Sequence, residues 1–168
     1  MKIQSMEDLM VHELQDLRSA EEQLVEALPK MAAAANSAQL KKAFNDHLKQ
    51  TKTHLTRAEK ALEHLGKGPG NMKCKGMEGL IKEGDEAIKD VTDPNTLDAA
   101  LIGAAQRVEH YEIAGYGTAR AHAEELGLTE IASLLQVTLD EEGEADKLLT
   151  KIAEGRMAAG VNERAATR

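Results

Sequence analysis

Apolar residues in this chain recur at alternating spacings of three and four, in runs of about thirty residues, and that restricts it to long amphipathic helices. Met10, Leu14, Leu17, Glu21, Leu24, Leu28 and Met31 form the first stripe. Leu40, Ala43, His47, Gln50, His54, Ala58, Ala61 and Leu65 form the second. Ala105, Val108, Glu112, Gly115 and Ala119 share a face of a later helix, and Leu128, Ile131, Leu135, Thr138, Glu142, Ala145, Leu149 and Ile152 give the last stripe. Strands are disfavoured by the same residues: Trp is absent, Phe occurs once and Tyr twice. A pleated surface prefers the β-branched and aromatic side chains that are scarce here.

The punctuation between stripes predicts the topology. Ser5, followed by Glu7 and Asp8, starts a helix that runs to about Ala35 and is bent at Pro29. Asn36-Ser37 turns the chain into a second helix ending at Gly66, and GKGPGN is the one clear breaker segment. A shorter amphipathic piece spans about Lys75 to Val91, with Met77, Leu80, Ile81 and Ala87 inward. Asp93-Pro94-Asn95 opens a helix from about Thr96 to Leu126; Gly127 closes it, and Thr129 caps the last. Two very short turns make two antiparallel hairpins. The longer middle connection can cross the bundle, giving the up-down-down-up order of ferritin-like folds. The fold expected is therefore all-α, a ferritin-like four-helix bundle of two antiparallel hairpins, with a short extra helix in the crossover. Residues 1–155 form the bundle, and 156–168 a flexible tail too poor in apolar surface to pack.

With 168 residues, one domain with a real core is expected. A net charge of −8 argues against nucleic-acid binding. No run of about 18 apolar residues or signal-type h-region is visible, so no membrane association and a cytoplasmic location are expected. A single cysteine, Cys74, agrees with a reducing compartment and reads as a buried structural thiol.

Function is suggested by where polar residues interrupt the stripes. Glu21 lies in step with Leu17 and Leu24; Gln50 and His54 stand where the second helix should be apolar, and so does His47. Glu112 shares the apolar face of its helix with Glu109 beside it, and periodicity does not separate the two. Glu142 follows Thr138, with Asp146 one turn on. Facing buried carboxylates are tolerable when cations lie between them, which points to iron or manganese in the bundle core, at most two ions per chain. Glu21 precedes Gln50 by 29 residues and His54 by 33, while Glu112 precedes Glu142 by 30 and Asp146 by 34. Each hairpin would offer one acid from its first helix and a residue pair from its second. The bland alternative is a set of acids at stripe edges, with His47 a core-edge histidine, His110 on the surface, and Tyr111 and Tyr116 packing.

The runs HELQDLRSAEEQLVEALPKM, HLKQTKTH, MKCKGMEGLIKEG, RVEHYEIAGYGTARAHAEELG and LDEEGEADKLLTKIA resemble the YciE/YciF-like family of ferritin-like bacterial stress proteins. The resemblance covers about Ser5 to Glu154. It implies a ferritin-like bundle, a homodimer and a di-metal site. The matching acids are Glu21, Glu109 or Glu112, and Glu142 with Asp146. Relatives commonly read HLEET where this chain has HLKQT, so the expected Glu is Gln50, whose neutral amide weakens the charge balance for two trivalent ions. Two functions are compatible: a di-metal carboxylate protein reacting with a small oxidant, peroxide or oxygen, in stress defence, with peroxidase-, catalase- and ferroxidase-like variants alike; or a non-enzymatic dimeric helical stress protein that has a degraded metal site and acts by partner binding.

Overall fold

The computed structural model describes the backbone of residues 2–166 and the side chains of residues 2–155. Five helices follow in order: α1 Met6–Ala34, α2 Ala38–His64, α3 Lys75–Asp90, α4 Pro94–Glu125 and α5 Thr129–Ala166. The caps arise where the side chains call for them. Ser5 accepts the amide of Asp8 at 3.0 Å, Ser37 accepts that of Leu40 at 3.4 Å, and Asp93 caps α4 with Pro94 in its first turn. Pro29 lies inside α1 without ending it. Thr129 is the first residue of α5 and not its cap, since the Leu128 carbonyl already accepts the amide of Ala132. The backbone of α5 also stays helical past Gly155, where the last stripe predicts an end. One glycine costs only about 1 kcal/mol in a helix, and helix formers follow it. The side chains of the expected tail, 156–168, lie outside the described residues.

The α4–α5 turn requires a glycine. Gly127 has φ +71°, its amide reaches the Glu124 carbonyl at 3.0 Å, and Leu128 reaches back to Ala123 at 2.8 Å. That hydrogen-bond pair closes a helix on a left-handed residue, a conformation open to Gly at no steric cost. The same pair of bonds closes α2 at Gly66.

α1 packs on α2 and α4, and α5 packs on α4 and α2, closing a four-helix bundle; α3 lies against α1 and α4. The direction of each helix follows from end contacts. Asp98, in the first turns of α4, accepts the amides of Asn36 at 2.6 Å and Ser37 at 2.8 Å, so α4 starts where α1 ends. His64, ending α2, lies 3.4 Å from Glu130 at the start of α5. The order is thus up-down-down-up, and α3 occupies the long crossover. Asp98 is fully buried. Asp98→Ala leaves two amides of the α1–α2 turn without that acceptor, and is expected to cost about 2–3 kcal/mol. Urea unfolding measures it, with Asp98→Asn costing less because one acceptor oxygen remains.

The apolar interior divides into two clusters. One gathers residues such as Leu28, Leu40, Phe44, Leu101 and Ile152; the other gathers Met10, Leu14, Leu62, Ala123 and Leu135. Between them, halfway along the bundle, lies a layer of buried polar side chains. Close approach of α1 and α4 next to this layer depends on Gly115, where a Cβ would stand 2.8 Å from Leu17 Cδ2.

Candidate metal centre

Each of the four long helices contributes to the polar layer. Glu21 comes from α1, His47 and His54 from α2, Glu109 and Glu112 from α4, and Glu142 from α5, and all six are buried. Their donor atoms form two groups that share one residue. His47, Glu109, Glu112 and Glu142 make the first; Glu21, His54 and Glu142 make the second, with the donor atoms of each group within 4.8 Å of one another. Glu142 is the shared member.

Contacts within the layer are close and incomplete. His54 Nδ1 stands 2.7 Å from Glu142 Oε1 and 3.7 Å from Glu21 Oε1. His47 Nε2 lies 3.3 Å from Glu109 Oε1 and 3.8 Å from Glu142 Oε2. Tyr116 donates to Glu21 Oε1 at 2.5 Å. Yet both oxygens of Glu112, Oε2 of Glu21, Oε2 of Glu109, Oε2 of Glu142 and both ring nitrogens of His47 have no hydrogen-bond partner. Buried polar atoms are rarely left so, because each forfeits its hydration without replacement.

The electrostatics of the metal-free layer follow from that burial. Desolvation, followed by the charge of Glu142, pushes the Glu21 carboxyl up to about 8. Burial and neighbouring carboxylates push Glu109 and Glu112 well above the carboxylate range. Burial lowers His47. For His54 burial opposes the charge, but the hydrogen bond and charge of Glu142 outweigh it and raise the imidazole. Glu142 shows the converse: burial pushes it up, and His54 more than compensates, so it ends below its ordinary value. Without a cation, one charged His54–Glu142 pair forms and protons neutralise the other acids.

A second tier orients His54. Its Nε2 stands 2.8 Å from Glu141 Oε2, and Arg57 holds Glu141 through both terminal guanidinium nitrogens, at 2.5 and 3.2 Å. Arg57 keeps the Glu141 carboxyl below its ordinary range. With Nε2–H donated to that carboxylate, the neutral ring would turn the Nδ1 lone pair towards Glu142 and Glu21, where a metal ion could take it. Carboxylate–histidine pairs of this kind fix the tautomer of metal-ligating histidines. Glu141→Gln keeps the shape but removes the charge, and is expected to weaken metal affinity about 10–100-fold. Competition titration with a chromogenic chelator measures it.

Of the residues singled out from sequence, the structure brings Glu21, His54, Glu109, Glu112 and Glu142 together. The choice between Glu109 and Glu112 dissolves, because both are buried, 2% and 0% exposed. Asp146 stands outside the cluster, and Gln50 lies at its edge, close enough for its amide to act on His47. Gln50 is exposed at the rim of a cavity that ends on His47 and Glu109. At about 100° per residue it is turned some 40–60° from both histidines. Asp146 is half-buried at the α4–α5 edge, accepting from Gln106 at 3.0 Å with His110 3.4 Å away. The expected duplication also differs in detail: α4 supplies two acids and α5 one. His47, for which a core-edge role is the alternative, lies in the first donor group. His47 and His54 are seven residues apart, two turns on one face, and that spacing was the available signal. Glu141, Arg57 and Tyr116 were missed as supports, since their roles depend on cross-helix contacts.

His110 is exposed. Cys74 is buried and free; its thiol lies 3.0 Å from Asp16 Oδ2 and 3.0 Å from the Tyr111 hydroxyl, away from the polar layer. Among the described residues no helix is long and apolar enough to cross a membrane.

The donor set suits a hard or borderline cation. Four carboxylates and two imidazoles, without a thiolate, are ligands of the kind that hold divalent cations. Four negative charges would balance two divalent ions, and the unpartnered oxygens are where such ions would bind. The residues present fit the group.

The family model described as "Domain of unknown function (DUF892)" matches residues 5–166. Protein YciF of Escherichia coli K12 is 44% identical over 154 residues, spanning 91% of this chain and 93% of that protein. The crystal structure of the E. coli stress protein YciF superimposes with TM-score 0.90 at 43% identity, covering 93% of this chain and 99% of that one. YcfI of Rhodopseudomonas palustris, described as a candidate structural protein, gives 0.86 at 43% identity over 89% and 95%. A Bacillus anthracis structure, described as ferritin-like, diiron-carboxylate, gives 0.70 at 16% identity over 90% and 99%, a likeness of fold.

Proposed function

We propose that this chain, which belongs to the DUF892 family, is a ferritin-like stress-response protein built around a di-metal carboxylate centre. The observation that carries this reading is the pair of donor groups sharing Glu142, lined by carboxylate oxygens without hydrogen bonds. His54, Glu21 and Glu142 would hold one ion; His47, Glu109, Glu112 and Glu142 the other. The likeness of sequence and structure to a stress protein supports the physiological setting. A bound pair of iron or manganese ions would supply reversible electron transfer to a small oxidant, peroxide or oxygen.

The rest of the work falls to the chain. Tyr116 holds one oxygen of Glu21 and leaves the other free, fixing the direction of that donor. Arg57 and Glu141 hold the His54 ring. Apolar clusters above and below shield the layer along the bundle axis, which strengthens the charge interactions in it. Burial and the neighbouring carboxylates push the Tyr116 hydroxyl up, so it keeps its proton and donates it to Glu21 Oε1 at 2.5 Å.

Metal content of untagged, cytosol-purified protein, read by mass spectrometry, tests the reading: about two iron or manganese ions per chain are expected. Protein that stays empty after anaerobic loading would leave the second reading, a helical stress protein working by partner contact. The 2.7 Å His54–Glu142 contact, which partly closes the layer on itself, is what favours that one. A dimer and a cytoplasmic location belong to either proposal.

A further inference from the structure

A cavity of about 140 Å³ opens between α2 and α5 and ends on the polar layer. Its inner wall is His47 and Glu109, and its sides are Phe44, Leu149, Ala43 and Ala145. Leu148 lines it towards solvent and is 43% exposed, one of few large apolar side chains so placed among the described residues. His47 is buried, yet neither ring nitrogen has a hydrogen-bond partner, and Glu109 Oε2 has none either.

Size and charge narrow what enters. A water occupies about 30 Å³ of liquid, and a dry cavity of about 150 Å³ takes benzene. This space is therefore several times larger than peroxide or oxygen requires, and its deeper sides are apolar, with the polar Gln50, Asp46 and Glu144 lining it at the rim. The rim acids are already engaged: Asp46 pairs with Lys42 and, at 2.8 Å, with Lys49, and Glu144 pairs with Lys147 at 2.7 Å. The mouth therefore has little unpaired acid to draw in cations, and no Lys or Arg lines the cavity to receive an anion.

We propose that this cavity binds a neutral, largely apolar organic molecule about the size of phenol, its one polar end turned to His47 and Glu109. The proposal rests on the reading of the polar layer as a metal centre and names the substrate class that centre would receive. Phe44, Leu148 and Leu149 hold the hydrocarbon body, and His47 and Glu109 meet a hydroxyl-type group.

Phenol is the probe, titrated into the full chain, metal-free and metal-loaded, with methyl resonances followed by NMR. Saturable shifts are expected at Leu148, Leu149, Ala43 and Ala145, with millimolar affinity, and benzoate binds at least about tenfold more weakly. Ala145→Leu fills the cavity, and Ala43→Leu does so from the opposite helix. Whichever keeps the parent's helicity and melting temperature should weaken phenol at least about tenfold while leaving metal content unchanged. Shifts scattered over the surface, or unaltered in the filled variants, would overturn the proposal. Shifts at these methyls that follow protein concentration without phenol would overturn it too, since a second copy would then fill the cavity. Protein that binds phenol but never takes up metal would remove the metal centre and keep the pocket; metal-loaded protein indifferent to phenol would remove the pocket alone.

Discussion

Glu142→Ala is expected to empty the bundle of metal, whereas Glu21→Ala is expected to leave one ion behind. Only Glu142 belongs to both donor groups; Glu21 belongs to the one with His54. Removing the shared carboxylate takes a ligand from each ion and leaves His54 without its 2.7 Å partner. From about two ions per chain, Glu21→Ala falls to about one and Glu142→Ala to near none. Equal losses in the two variants would contradict a shared ligand. Neither variant should fail to fold, because Glu21 is a neutral acid in the metal-free layer and His54, without Glu142, can lose a proton and keep Glu141 as its partner. Circular dichroism checks that point on the same samples.

Opposite pH profiles for metal-free and metal-loaded protein form the second large effect. In the metal-free chain Glu21 is raised from 4.5 to about 8, and Glu109 and Glu112 are raised as well. A carboxyl raised by folding is protonated in the native state at a pH where the unfolded chain has lost its proton. The stability it contributes is complete below the unfolded value and is lost as pH rises through the folded one. His54, also raised, acts in the same direction. Glu142 is lowered, so its contribution is lost only in acid. The metal-free protein should therefore lose stability steadily from about pH 5 to 8, by up to about 1.4 kcal/mol per pH unit for each group in its window.

Metal reverses the slope, because cations compete with those protons and bind more tightly as pH rises. At a free ion concentration about a hundred times Kd, binding adds about 2.7 kcal/mol. For a chain of this length that is about 5–11 °C in melting temperature. Chelation should erase the gap. Thermal melts at pH 5.5 and 8, with and without manganese, measure both slopes. Parallel slopes would mean that the carboxyls and the ion do not share a site.

Much of this molecule was legible in the order of its residues. Stripe spacing, Ser5, Ser37 and Asp93 as caps, and Gly127 as terminator are local matters, decided within one or two turns of chain. They determine the helices, and two short turns with one long connection then determine the topology. That Glu21 and Glu142 sit inside the bundle was equally readable, since each lies in step with apolar neighbours on its own helix.

Only the tertiary structure decided which polar residues meet. Periodicity places a side chain on a face to within a few tens of degrees, and that margin separates His47, Glu109 and Glu112 from Gln50 and Asp146. Rotation and depth of α2 against α5 turn Gln50 to the cavity rim and His47 inward. Support for His54 from Glu141 spans 87 residues of sequence, and that for Glu21 from Tyr116 spans 95. No spacing within one helix encodes such contacts, because they arise when separately determined faces are packed against one another.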